Sequence, residues 1–225
     1  MTDIVKELLD IIAVEELDKD LYRGIGGGGE TNTRIFGGQV IAQALAAAYE
    51  TVEDRLCHSL HAYFMRPGDP SIPVIYSVNR ARDGGSFTTR SVTALQRGKQ
   101  ILNLVSSFQV DEPGWNHQHL MPEVHGPDGL KSRAEMRQEN VHKVPEHRRD
   151  DYLRPRPIEV REVAPYDHFE PKPLPDENHL WFRMVGAKGA STPIQHCLLA
   201  YASDMNLLTS SIRPHGLSFM KGELM

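Results

Sequence analysis

Apolar positions along the chain change their period several times, and each change predicts a different element. In "TDIVKELLDIIAVEEL", Ile4, Leu8, Leu9 and Ile12 fall on one helical face behind Thr2 or Asp3 as a cap, which predicts a helix over the whole stretch. "RGIGGGGETNTRIF" has no period and reads as loop, because ordering so many glycines is entropically costly. "GGQVIAQALAAAYETV" restores the helical period. Val40, Ile41, Ala44, Leu45, Ala48 and Val52 form one stripe, and the flanking alanines give a thin helix suited to enclosure by a sheet. Four strand-like runs follow, "CHSLHAYFM", "PVIYSVNRA", "SFTTRSVTAL" and "KQILNLVSSFQV", separated by "RPGDPSI", "RDGG" and "QRG". In the last run Leu102, Leu104, Phe108 and Val110 share a face opposite Asn103, Ser107 and Gln109. Connections this short predict antiparallel neighbours, so the first half reads as one long helix and an antiparallel meander.

From Asp111 to about Asn178 prolines and charges dominate, and the segment reads as a connector with a short helix at "SRAEMRQENV". A strand, "HLWFRMVG", then leads through "AKGAS" into a second helix, with Thr192 as N-cap and Pro193 as its first residue. Inside that helix "LLAYASDMNLL" places an acid in an apolar run. Advancing about 100° per residue, Ile194, Cys197, Leu198, Tyr201, Met205 and Leu208 share a sector, and Asp204 stands at its edge. A carboxylate is stable there if it faces water, if donors satisfy it, or if a site uses it. Spacing leaves these readings open.

Composition narrows the classes. The chain has 225 residues, 40% hydrophobic and 24% charged, with a net charge of −5, which argues against wholesale disorder and against a generic nucleic-acid binder. No run approaches the length of a membrane span, and the acidic, amphipathic start is no secretory signal. Two distant cysteines, Cys57 and Cys197, form no disulfide framework and suggest a reducing, cytoplasmic setting.

Several chemical motifs fail in context. Gly24, Gly26 and Gly29 satisfy G-x-G-x-x-G, but no buried strand precedes them and no apolar helix follows. "GGSFT" lacks the second glycine of a nucleophile elbow. Cys57 and His58 point to opposite faces of a strand, as do His58 and His61. His117 and His119 lie in a proline-rich loop without further ligands nearby. Between Arg66 and Lys99, five arginines and one lysine face two aspartates, an excess that suits phosphates or simply a solvated strand face. Gly37 and Gly38 permit close backbone approach, for which packing against the sheet is the plainest reason.

"RIFGGQVIAQAL", "HSLHAYFMRPGDPSIPVIYSV", "RDGGSFTTRSVTALQRGKQI", "SSFQV", "YASDMNLL" and "RPHG" together resemble the acyl-CoA thioesterase II family. The resemblance implies an α+β double hotdog, each unit a long helix wrapped by an antiparallel sheet. The first hotdog would be complete over residues 1–110, with a connector over 111–178 and the opening of a second hotdog over 179–225. It further implies hydrolysis of fatty acyl-CoA to free fatty acid and CoA without metal or organic cofactor, and a homo-oligomer formed through hotdog sheets. Asp204 matches the family's aspartate, which works with a threonine and a glutamine to hold and activate water. Those partners are expected beyond Met225, so the 225 residues are expected to be an incomplete version of the natural protein. Two other readings stay open: a hotdog hydratase or dehydratase using His196 with an acid, and a non-catalytic acyl-CoA binding or assembly module.

Overall fold

The computed structural model describes residues 3–27 and 34–218. In chain order the elements are α1 (Asp3–Ile12), β1 (Val14–Asp18), β2 (Leu21–Gly24), α2 (Gly37–Tyr49), β3 (Leu56–Phe64), β4 (Val74–Asp83), β5 (Phe87–Gln96) and β6 (Lys99–Gln109). There follow α3 (Arg133–Asn140), α4 (Arg149–Leu153), β7 (Ile158–Glu162), β8 (Leu180–Met184), α5 (Thr192–Ser203) and α6 (Leu207–Ile212). They fall into two compact units. One comprises residues 1–116 and 186–205, the other residues 117–185 and 206–225.

The first unit is an antiparallel sheet in the order β1-β2-β4-β5-β6-β3, with α2 on its inner face and α5 packed against α2. All four strands expected after α2 are present. The meander, however, covers only β4, β5 and β6. The short "RPGDPSI" connection does not join neighbours: β3 pairs with β6, and β4 pairs with β2. This leaves β3 as an edge strand.

The first helix stops at Ile12 instead of continuing through "AVEEL". Val14–Asp18 pairs with β2 across a turn in which Asp20 takes a φ of 60°. Asp20 also accepts a hydrogen bond from Arg80 at 2.8 Å, tying that turn to β4. A helical pattern thus yields to strand pairing, because the sheet supplies hydrogen-bond partners that the local period does not reveal.

Helix α2 is buried on nearly every side. Gln43 survives in this setting because its amide donates to the Ile11 and Ile25 carbonyls and accepts from the Tyr76 hydroxyl at 2.6 Å. Arg90 is 2% exposed, and its guanidinium donates to Thr51, Arg82, Thr89 and Asp83. These bonds make burial of a charge tolerable.

Helix α5 starts one residue earlier than expected: Ser191 is the N-cap and Pro193 the second helical residue. It also ends sooner, at Ser203, with Asp204 as C-cap. Asn206, at φ 70°, separates α5 from α6. The single stripe read from Ile194 to Leu208 is therefore shorter. Cys197, Leu198 and Tyr201 are buried, whereas Leu208 belongs to α6 and is 55% exposed.

In the second unit α3 matches the expected short helix and begins with a capping box between Ser132 and Glu135. The segment read as connector also contains a strand, β7, paired antiparallel with β8. Ile158, Val160 and Glu162 alternate inward and are buried. Glu162 is held there by an ion pair with Arg133. Surrounding prolines and charges mask this five-residue alternation in the sequence.

Candidate active site

Asp204 comes to the start of α2. The first N–H groups of a helix have no partner within it, and the Gly38 N–H donates to Asp204 Oδ2 at 3.0 Å. Glycine is required by this contact. A Cβ on Gly37 would lie 2.6 Å from Asp204 Oδ2 and 2.7 Å from Phe64 Cζ. One on Gly38 would lie 2.2 Å from the Tyr201 carbonyl oxygen and 2.5 Å from Phe36 Cε1. The close approach at Gly38 is thus to α5, while at Gly37 it is both to the carboxylate that closes α5 and to the sheet, through Phe64 of β3. Phe36 and Tyr201 meet edge to face at 5.0 Å beside the same helix start.

The Asp204 carboxyl is half-buried, and burial raises its pKa above the ordinary aspartate value. The Gly38 N–H and the charge of Arg34 oppose that rise without cancelling it. The result is a fixed carboxylate, partly stripped of water, with its proton affinity moved toward that of a general base. Phe64, the last residue of β3 and 52% exposed, borders the same space beside Gly37. Strand periodicity alone gave Phe64 no role, because only the tertiary approach of the start of α2 to the end of β3 brings it beside Gly37.

Other positions singled out in the sequence go elsewhere. His196 Nδ1 and the Tyr49 hydroxyl are 2.7 Å apart, and Tyr49 also accepts from the Cys57 N–H at 2.9 Å. His196 is therefore engaged with the last residue of α2, while Asp204 is held at the first turn. Burial pushes the Cys197 thiol up to about 12, and the Cys57 thiol is raised too, so neither is an activated nucleophile. His58 is exposed and hydrogen-bonded to Ser107. The rings of His117 and His119 contact each other at 5.4 Å. Among the described residues no group of three or more His, Cys, Asp or Glu is placed to hold a metal ion. No described helix is long and apolar enough to cross a membrane.

The basic block is largely consumed internally. Arg80, Arg90 and Arg97 pair with Asp20, Asp83 and Asp69, and Arg66 donates to the Gln100 carbonyl. In the glycine-rich motif Gly24 closes β2, where a Cβ would strike Gln43, and a Cβ on Gly26 would lie 2.0 Å from the Ile72 carbonyl oxygen. Both glycines answer to packing. Gly29 lies outside the described residues.

Comparison with known proteins places this fold. Residues 28–109 match the family described as acyl-CoA thioesterase N-terminal domain, and residues 149–225 match the family described as acyl-CoA thioesterase. The chain is 37% identical over 226 residues to acyl-CoA thioesterase 2 of Haemophilus influenzae, covering 98% of this chain and 77% of that protein. It superposes on the acyl-CoA thioesterase II TesB2 of Mycobacterium marinum with a TM-score of 0.68 at 33% identity, over 92% of this chain and 70% of that one. A hot dog fold protein of Alicyclobacillus acidocaldarius shares the fold, with a TM-score of 0.66 at 18% identity, over 92% of this chain and 72% of that one. The architecture is an α+β hotdog with a smaller second part. The chain belongs to the acyl-CoA thioesterase family.

Proposed function

We propose that this protein hydrolyses fatty acyl-CoA to free fatty acid and CoA, with Asp204 assisting the attack of water. The observation that carries the reading is the half-buried Asp204 carboxylate, fixed by the Gly38 N–H and raised in pKa by burial. In the reaction Asp204 accepts a proton from water as the water oxygen bonds to the thioester carbonyl carbon. The tetrahedral oxyanion collapses, the C–S bond breaks, and the sulfur leaves with its electron pair and takes up a proton. The reading needs no metal or organic cofactor. Membership of the acyl-CoA thioesterase family and the names of the relatives support acyl-CoA as substrate class.

With this reading go a division into a hotdog at 1–110, a connector at 111–178 and the opening of a second hotdog at 179–225, a cytoplasmic setting, and homo-oligomers formed through the sheets. Thiol release from medium- and long-chain acyl-CoA tests the chemistry. Asp204→Asn keeps an acceptor for the Gly38 N–H but loses the base, so kcat is expected to fall about 10²- to 10⁴-fold. Turnover retained in that variant removes Asp204 from the mechanism. Absence of thiol release from the parent protein leaves acyl-CoA binding without hydrolysis.

A further inference from the structure

Asn206 stands two residues after Asp204, at a φ of 70°, in the turn between α5 and α6. Glycine fills such a left-handed position at least cost, and asparagine is the usual second choice. At the start of a helix an asparagine side chain ordinarily accepts from the first free N–H groups. Asn206 is the N-cap of α6, yet its side chain makes no capping bond. Its Oδ1 accepts instead from Nη2 of Arg133. Neither the turn nor the cap therefore accounts for an asparagine here, whereas the bond to Arg133 does.

Arg133 is itself held from behind. It is the first residue of α3, directly after the Ser132 N-cap, and its Nε and Nη2 donate to Glu162 Oε1 at 2.8 and 2.5 Å. Glu162 is 7% exposed on β7. A planar guanidinium anchored twice on a buried carboxylate presents its remaining N–H in one fixed direction. Backbone bonds flank the turn: the Met205 N–H donates to the Ala202 carbonyl at 3.0 Å, and the Thr209 N–H to the Asn206 carbonyl at 3.1 Å. Two residues of chain reach at most about 7 Å, so a pin on Asn206 acts close to Asp204. We infer that Arg133, through Asn206, is a positioning residue for Asp204. It fixes the turn that closes α5, and with it the direction in which the carboxylate meets the Gly38 N–H. The effect on rate rests on Asp204 as the base of a thioester hydrolase; the effect on geometry does not.

Two variants and two measurements test the pin. Asn206→Gly keeps the left-handed backbone and removes the acceptor. It is expected to lower kcat for a medium-chain acyl-CoA about 10- to 100-fold, the effect of a misplaced base, with KM within about twofold. Asn206→Asp keeps an acceptor for Arg133 and is expected to hold kcat within about threefold of the parent. Unchanged kcat in Asn206→Gly overturns the pin, and so does an equal loss in both variants. The second measurement is hydrogen exchange of the Gly38 amide in ¹⁵N-glycine-labelled protein, followed by NMR. Asn206→Gly is expected to speed it about tenfold, and Asn206→Asp to leave it near the parent rate. Gly24, paired in β2, is the control: an equal rise there reports general loosening and overturns the pin, as does unchanged exchange at Gly38. Because exchange needs no turnover, a selective rise at Gly38 in a protein without thiol release upholds the pin while refuting hydrolysis. Thiol release with kcat and Gly38 exchange both unaltered in Asn206→Gly does the reverse.

Discussion

Gly38→Ala is the sharpest test of how the site is held. The new Cβ would sit 2.2 Å from the Tyr201 carbonyl oxygen, where ordinary van der Waals contact is about 3.5 Å. Phe36 can rotate away. Tyr201 O cannot, because it belongs to the backbone of α5, so the two helices must separate by about 1 Å. Overpacking of that kind costs about 1–3 kcal/mol. Separation also stretches the 3.0 Å bond from Gly38 N–H to Asp204, and loss of a hydrogen bond to a charged group costs about 1.5–3 kcal/mol. Alanine returns about 1 kcal/mol through its helix propensity. The net expectation is a destabilisation of about 2–4 kcal/mol in urea unfolding, with a Tm lower by about 5–15 °C. Gly85 is the control, since nothing lies within 4 Å of its would-be Cβ, and Gly85→Ala is expected to change stability by less than about 0.5 kcal/mol. If Gly38→Ala equals or exceeds the parent in stability, the claim that glycine is needed for helix contact is wrong.

Three further outcomes follow from the packing and the charges. Asp204 has a folded pKa above its unfolded value, so the folded state holds the proton more tightly; its stabilising contribution is present at low pH and is lost as pH rises through 3.8 toward the folded value. Asp204→Asn should therefore be at least as stable as the parent at neutral pH, with a flatter stability profile in that acid window; marked destabilisation at pH 7 would contradict it. Arg90→Lys, although charge is conserved, gives up the fork that reaches Thr51, Arg82, Thr89 and Asp83, and unfolding in urea should show a loss of about 2–4 kcal/mol. Tyr49→Phe leaves the Cys57 N–H and His196 Nδ1 without their shared hydroxyl, which should cost about 1–3 kcal/mol and leave thiol release unchanged; a large fall in kcat would instead draw His196 into the chemistry.

The sequence was most informative where one periodicity dominated. The α2 stripe and the four strands after it could be read directly, because β-branched alternation and turn residues agree with the tertiary arrangement. It misled where a local period competed with a distant partner. "AVEEL" continues a helical pattern yet pairs with β2, and Ile158–Glu162 alternates correctly but is too short to stand out among prolines. Asp204 was conspicuous as an acid in an apolar run, whereas its partner was invisible. That partner is the backbone N–H of Gly38, 166 positions earlier, and no side-chain pattern encodes it. Phe64 escaped notice for the same reason: its importance comes from a contact between a strand end and a helix start.

The starts of the two packed helices are chemically unequal. The second position of α2 is Gly38, whose N–H is available; the second position of α5 is Pro193, whose ring nitrogen carries no hydrogen. Each helix is also closed at its far end by an acid, Glu50 on α2 and Asp204 on α5. A carboxylate arriving at the second position of α5 would find no donor, whereas one arriving at α2 does. The helix pair is thus built with a handed division of labour, α2 receiving and α5 presenting. Duplication of the helix does not duplicate the clamp.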